Sequence, residues 1–181
     1  DEVREVVRRL EEIVRDVNKK NRESVREAER LVDRLREILE ETSRRLKELV
    51  DRVKELIKGG TDSRDVRRVD RELEKIITDS DDTVRKIREE LKRKVEDDLR
   101  RTAEIIKKLK DTVARVSERI SNEKEARELE DAVRKLIERL KRSAEEVKKR
   151  VEELDEEIRR VVEEDRRTIK ELKEEIDRAD K

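Results

Sequence analysis

The chain has no cysteine, proline, methionine, histidine or aromatic residue, and only two glycines among its 181 residues. Each absence removes something. Without cysteine there are no disulfides and no redox information. Without histidine as well, the usual ligands of structural zinc, haem and iron–sulfur clusters are missing. The common proton shuttles and nucleophiles go with His, Cys and Tyr. No catalytic residue, cofactor or metal is therefore expected. The 53 basic and 53 acidic side chains cancel, and the three thirds of the chain carry about +1, +2 and −3. None is the basic arm that a nucleic-acid partner would call for. No apolar run approaches the ~18 residues of a membrane span, and no targeting signal is visible. Neither nucleic acid nor membrane is an expected partner, and the localisation is unreadable.

What remains is charge and aliphatic side chains. Charged residues make up 59% of the chain and hydrophobic ones 31%, a mix that means disorder when the apolar residues are scattered. Here they are periodic. Val3, Val6, Val7, Leu10, Ile13, Val14 and Val17 follow helical spacing, and the residues between them are mostly strong helix formers. Gly59-Gly60, behind Leu56, Ile57 and Lys58, reads as a glycine helix stop with a basic last turn. In the "TDSRD" that follows, Thr61, Asp62 or Ser63 can each cap a second helix, with Asp65 in its first turn.

A second break has no glycine. In "ISNEKEA" (120–126), Asn122 with Glu125 reads as a capping box. The phase of the stripe supports a turn. Continued past Ile120, the stripe of Val66, Val69, Leu73, Ile76 and Ile77 would land on Glu123, Arg127, Glu130 and Asp131. It restarts instead at Ala126, Leu129, Val133, Leu136 and Ile137. An unbroken helix would have to swing its apolar face by about 240°, at ~100° per residue. The reading is one domain over 1–181 with helices at about 2–58, 62–121 and 123–180. Matched lengths and short connections predict an all-α, elongated, antiparallel up-down-up three-helix bundle.

The stripe repeats every eighteen residues. Val3 to Val17 shift onto Asn21, Ser24, Val25, Ala28, Leu31, Val32 and Leu35, then onto Leu39, Thr42, Ser43, Leu46, Leu49, Val50 and Val53. Eighteen residues in five turns is ~3.6 per turn, so the helices are expected to be nearly untwisted, where a strict heptad would supercoil them. The stripe is wide enough for a helix touching two neighbours.

Asn21 and Ser24 stand on this stripe as an amide and a hydroxyl, so their opposite numbers matter. With Ile57 beside Val66, Val3 beside Ile120, and Ile120 beside Ala126, partner numbers total about 123 between the first two helices. Between the second and third they total about 246. Asn21 then faces Thr102 and lies next to Ser143, and Ser24 lies next to Asp98. A second set gathers Thr42, Ser43, Thr78, Ser80, Thr83, Asp165 and Thr168 at one level. Isolated hydroxyls such as Thr112 and Ser117 are expected to bond back to the i−4 carbonyl. Two aligned layers point instead to buried hydrogen-bond networks that make wrong registers costly. Asp98, Asp155 and Asp165 lie too far apart to form one carboxylate cluster. "DSDDT" (79–83) lacks a calcium loop's glycine and sits mid-helix. "RRVDRELEK" and "KKRVEELDEE" read as solvated charged faces.

The eighteen-residue repeat, the Val/Leu/Ile core, the two polar layers and the "GGTDSRD" connection together make the chain resemble de novo designed, parametrically generated three-helix bundles with buried hydrogen-bond networks. The resemblance covers essentially the whole chain. It implies a thermostable scaffold with no natural biochemical function, ligand or required partner. Other function classes are a spectrin-like spacer, whose cores usually carry aromatics, and an apolipoprotein-like lipid-binding bundle, whose interfacial aromatics are missing here. A monomer is expected, because few apolar residues fall outside the stripes and only Ile38, Leu56, Leu99 and Ile106 are borderline. Self-association is the alternative.

Overall fold

The computed structural model describes residues 2–60 and 63–179, with the side chains of Ser63, Glu175 and Ala179 outside that description. The cap candidates Thr61 and Asp62 and the side chain of Ser63 therefore lie outside the described residues. Three helices of 57 residues each make up most of the described chain: α1 (Glu2–Lys58), α2 (Ser63–Arg119) and α3 (Glu123–Ala179). The helix α2 stops two residues before the expected 121. The protein is a three-helix bundle, with acidic first turns and a basic residue in each last turn, the arrangement the helix dipole favours.

α1 closes on Gly59, whose N–H reaches the Glu55 carbonyl at 3.0 Å, and on Gly60, whose N–H reaches Ile57 at 3.2 Å. Gly60 has φ +65°, a left-handed conformation that a side chain would strain. Asn122 opens α3. Its Oδ1 accepts from the Lys124 N–H at 3.0 Å, while its carbonyl accepts from the Ala126 N–H at 3.1 Å. The cap bond thus falls one residue before the Glu125 that a capping box would engage.

Chain contacts form two compact units, each with a segment of all three helices. Unit 1 comprises Asp1–Ala28 and Leu91–Glu152, and unit 2 comprises Glu29–Glu90 and Glu153–Lys181. In unit 1, Leu10, Val14 and Val17 of α1 pack with Leu109 of α2 and Leu129, Leu136 and Leu140 of α3. In unit 2, Leu46, Val50 and Val53 pack with Val69, Leu73 and Ile176.

Directions follow from the contacts inside each unit. In unit 1 Asn21 meets Thr102 and Glu27 meets Lys94, so α1 and α2 run antiparallel. In unit 2 Glu74 meets Lys173 and Arg88 meets Asp155, so α2 and α3 do too. The pair numbers total 123 and 121 for α1–α2, and 247 and 243 for α2–α3, close to the register read from the sequence.

Burial keeps the eighteen-residue repeat. On α1 the buried positions recur as Val3, Asn21 and Leu39; Leu10, Ala28 and Leu46; Val14, Val32 and Val50; Val17, Leu35 and Val53. On α2 they recur as Leu73, Leu91 and Leu109, and on α3 as Leu140, Ile158 and Ile176. One expected stripe member departs from this: Ile13 is 41% exposed, although Leu49, two repeats along, is buried. A seven-position stripe is broad enough that its edge residue loses contact where the neighbouring helices do not reach over it. The borderline residues Ile38, Leu56, Leu99 and Ile106 are all half-buried.

Candidate functional site

The only polar or charged side chains fully buried among the described residues are Asn21, Asp98 and Thr102, and all three lie in unit 1. Asn21 occupies the place where the α1 stripe would carry a third aliphatic, between Val17 and Ala28. It is 1% exposed, as is Thr102. Its Nδ2 donates to Thr102 Oγ1 at 3.3 Å on α2 and to Ser143 Oγ at 3.0 Å on α3. Both amide hydrogens are thereby used, one on each neighbouring helix. That is what a buried amide requires, since an unpaired one costs roughly 1–3 kcal/mol.

The amide oxygen faces a charged pair. Arg101 Nη2 lies 3.5 Å from Asn21 Oδ1 and donates to Asp98 Oδ1 at 2.7 Å. Asp98 is 5% exposed. Its burial is offset by this charge-assisted bond, one turn along the same helix. Arg101 had no signal in the hydrophobic stripe, because it stands at the rim and reaches inward with its long side chain. The trace it left in the sequence was the i,i+3 spacing to Asp98.

Ser24, expected with Asp98, does not share the Asn21 bonds. It is half-buried and lines a polar cleft of about 290 Å³ between α1 and α2, together with Asp98, Arg101, Lys20 and the ion pair Lys94–Glu27.

The second expected layer, in unit 2, is built differently. Thr42 donates to the Ile38 carbonyl, Thr78 to Glu74, Thr83 to Asp79 and Thr168 to Glu164, all between 2.9 and 3.1 Å. Ser43, Ser80 and Asp165 are half-buried. No hydrogen bond joins two helices through these seven residues among the described residues. The reason is local. A helical threonine hydroxyl sits within reach of its own i−4 carbonyl, and that bond needs no partner on another helix. Thr112 does the same, as expected, with Lys108 at 2.8 Å. Ser117 does not: its Oγ is buried without a partner, and nothing around it explains this.

The pKa of Asp165 is raised from 3.8 to about 6 by burial and, secondarily, by the neighbouring Glu164 carboxylate. The Arg88–Asp155 pair in unit 2 is a two-pronged fork, Nε to Oδ1 at 2.8 Å and Nη2 to Oδ2 at 3.2 Å, with Arg159 a further 3.5 Å from Oδ2. Arg36–Glu157 joins α1 to α3 at 2.8 Å. These half-exposed pairs each contribute no more than about 1 kcal/mol. Among the described residues no group of carboxylates could hold a metal ion, and no helix is long and apolar enough to cross a membrane.

Two of the three comparisons with known proteins are empty: no family model and no curated protein matches the chain. A solved structure does. A computationally designed three-helix bundle shares this fold. The similarity covers 99% of this chain and 91% of the other, with a TM-score of 0.58 and 16% sequence identity. At that identity what the two have in common is the fold. The Asn21 cluster has to be interpreted from its own geometry.

Proposed function

We propose that the chain is a designed, monomeric structural scaffold, and that the Asn21 cluster fixes the register in which its three helices pair. The observation that carries this reading is one amide hydrogen-bonded to two other helices, Asn21 to Thr102 and to Ser143, inside an otherwise aliphatic stripe. Aliphatic stripes that repeat every eighteen residues stay in phase when a helix slides by a repeat: a slide of ~27 Å unpairs about a third of a 57-residue helix, but the contacts that remain do not distinguish the new register from the old. A single amide breaks that degeneracy, because a slid helix would bury it unpaired. The same logic explains retaining polar atoms that a leucine could replace with no loss of burial. A composition free of Pro, Cys, Met, His and aromatics, together with the shared fold of a designed bundle, supports a designed origin. No catalytic role is assigned.

Relocating the amide by one repeat tests this. In a variant carrying Asn21→Leu with Leu39→Asn, composition is unchanged, but the amide moves to the level of Val84 and Val162. The expected outcome is a loss of about 1–3 kcal/mol relative to the parent chain, the cost of the newly unpaired amide, since the Thr102 and Ser143 hydroxyls left at the old site can turn to their own i−4 carbonyls. Mixed oligomers in light scattering should accompany it. A variant as stable as the parent, still scattering at 21.9 kDa, would remove the register role. A parent mass of two or three times that value would remove the monomer.

A further inference from the structure

On α3 the eighteen-residue repeat stops burying side chains after Ile158. Leu129 and Val147 are buried at one phase, and Asp165 follows them one repeat on. Val133 and Val151 are buried at a second phase, and Leu136 and Leu154 at a third. Their successors, Ile169 and Leu172, are as large but only half-buried. The difference lies in what faces them. Arg88–Asp155 and Glu74–Lys173 bracket this stretch against α2, and Arg36–Glu157 sets its level on α1. It therefore runs past Thr42 and Ser43 of α1 and Thr78, Ser80 and Thr83 of α2. These are short side chains, and the three threonines bond to their own helix. Over 138–158, α3 buries Leu140, Val147, Val151, Leu154 and Ile158. Over the equal stretch 159–179, Ile176 alone is buried among the described side chains.

We propose that residues 159–179 of α3 form a separately opening strap, which lifts from α1 and α2 while 138–158 stays packed, and that the charge on Asp165 sets how often it lifts. Segments with few buried apolar contacts open at lower free energy than the core around them. The strap is held by Ile176, by the half-buried Ile169 and Leu172, and by the Lys173–Glu74 pair at 2.6 Å. Asp165 works against the closed state when ionised, because a half-buried carboxylate loses hydration and needs a partner. Among the described residues none donates to it. Within a turn of its level stand Glu40, Glu41, Arg44 and Arg45 on α1, and Asp79, Asp81, Asp82 and Arg85 on α2. Arg45 is bonded to Glu41 at 3.3 Å and Arg85 to Asp82 at 3.4 Å. On α3 itself, Glu163, Glu164, Arg166 and Arg167 are all exposed. The closed strap thus holds the Asp165 proton more tightly than the lifted one, and closure weakens as pH rises through about 6. The strap lies wholly in unit 2, so it stands whether or not Asn21 sets register.

Native-state hydrogen exchange of the full chain, read amide by amide by NMR, tests this. Amides of 159–179 should be less protected than those of 138–158 by at least about tenfold, the equivalent of one fully buried aliphatic side chain. Their opening should also depend less steeply on denaturant than global unfolding does. After correction for intrinsic rates, protection of the strap should fall between pH 5 and 7.5, by at most about fivefold for a half-exposed carboxylate. In Asp165→Asn that fall should vanish. In Asp165→Val, which restores the residue found one repeat earlier, protection should rise and stay flat with pH. Equal protection over the two stretches would overturn the strap. A pH-dependent fall that survives in Asp165→Asn would overturn the role given to Asp165.

Discussion

The bond from Asn21 to Ser143 can be isolated by a double-mutant cycle. Asn21→Ala removes two neutral hydrogen bonds, at 3.0 and 3.3 Å, along with the long 3.5 Å contact from Arg101, and leaves a small void in a position that is 1% exposed. At about 1 kcal/mol per buried neutral bond, with a small cavity cost added, the loss should be about 2–3 kcal/mol. Ser143→Ala removes one of those bonds and should cost about 1 kcal/mol. The double variant should cost little more than Asn21→Ala alone, since that bond is already gone, giving a coupling of about 1 kcal/mol. Asn21→Leu is the informative control. The Thr102 and Ser143 hydroxyls can then turn to their own i−4 carbonyls, as Thr42 and Thr112 already do, while the leucine adds apolar burial. That variant should match or exceed the parent in stability. Guanidinium titration followed by helical circular dichroism measures all four. A coupling indistinguishable from zero, with Asn21→Ala costing under about 0.5 kcal/mol, would mean that the amide is not bonded across the helices.

Three further outcomes are expected. Asp165 has its folded-state pKa raised to about 6 from 3.8, so the folded chain holds that proton more tightly than the unfolded one. The group's contribution is fully present below about pH 4, fades as pH rises through 6, and is a full penalty above that. Relative to Asp165→Asn, the parent should therefore lose stability between pH 4 and 7. The loss should stay within about 1 kcal/mol because the carboxylate is half-exposed; a flat difference across that range would contradict the burial assigned to it. Gly60→Ala should cost about 1 kcal/mol from its positive φ alone, since a β-carbon there would meet nothing within 4 Å; a neutral alanine would show that the turn is not left-handed in solution. Helical circular dichroism should persist beyond about 90 °C, as for idealised bundles, and a melting midpoint near 50 °C would count against that description.

Much of this was legible in the residues because helical rise is regular. Once Gly59-Gly60 and Asn122 are taken as turns, each residue's level follows from counting, and Asn21 falls opposite Thr102 and beside Ser143. Level is not orientation, however. Counting could not say whether the Thr42 or Thr78 hydroxyl crosses to another helix or turns to its own carbonyl, since that depends on one side-chain rotation. The two layers look alike in sequence for this reason, yet only the one with an amide is cross-linked. An amide has two donors and no good local carbonyl for both, whereas a hydroxyl has one donor and a carbonyl close at hand. Arg101 was invisible for a different reason: its class belongs on the surface, and only its reach brings it to Asn21.

The recurrence of burial every eighteen residues means that helix length is adjustable in whole steps. Inserting one such block into each helix at a matched level adds five complete turns, about 27 Å, and returns every buried position to the side of the helix it faced before. A seven-residue insertion would rotate the stripe off its partners by ~20° each time. The chain therefore behaves as a graduated ruler, with the amide at position 21, bonded to Thr102 and Ser143, at one of its marks.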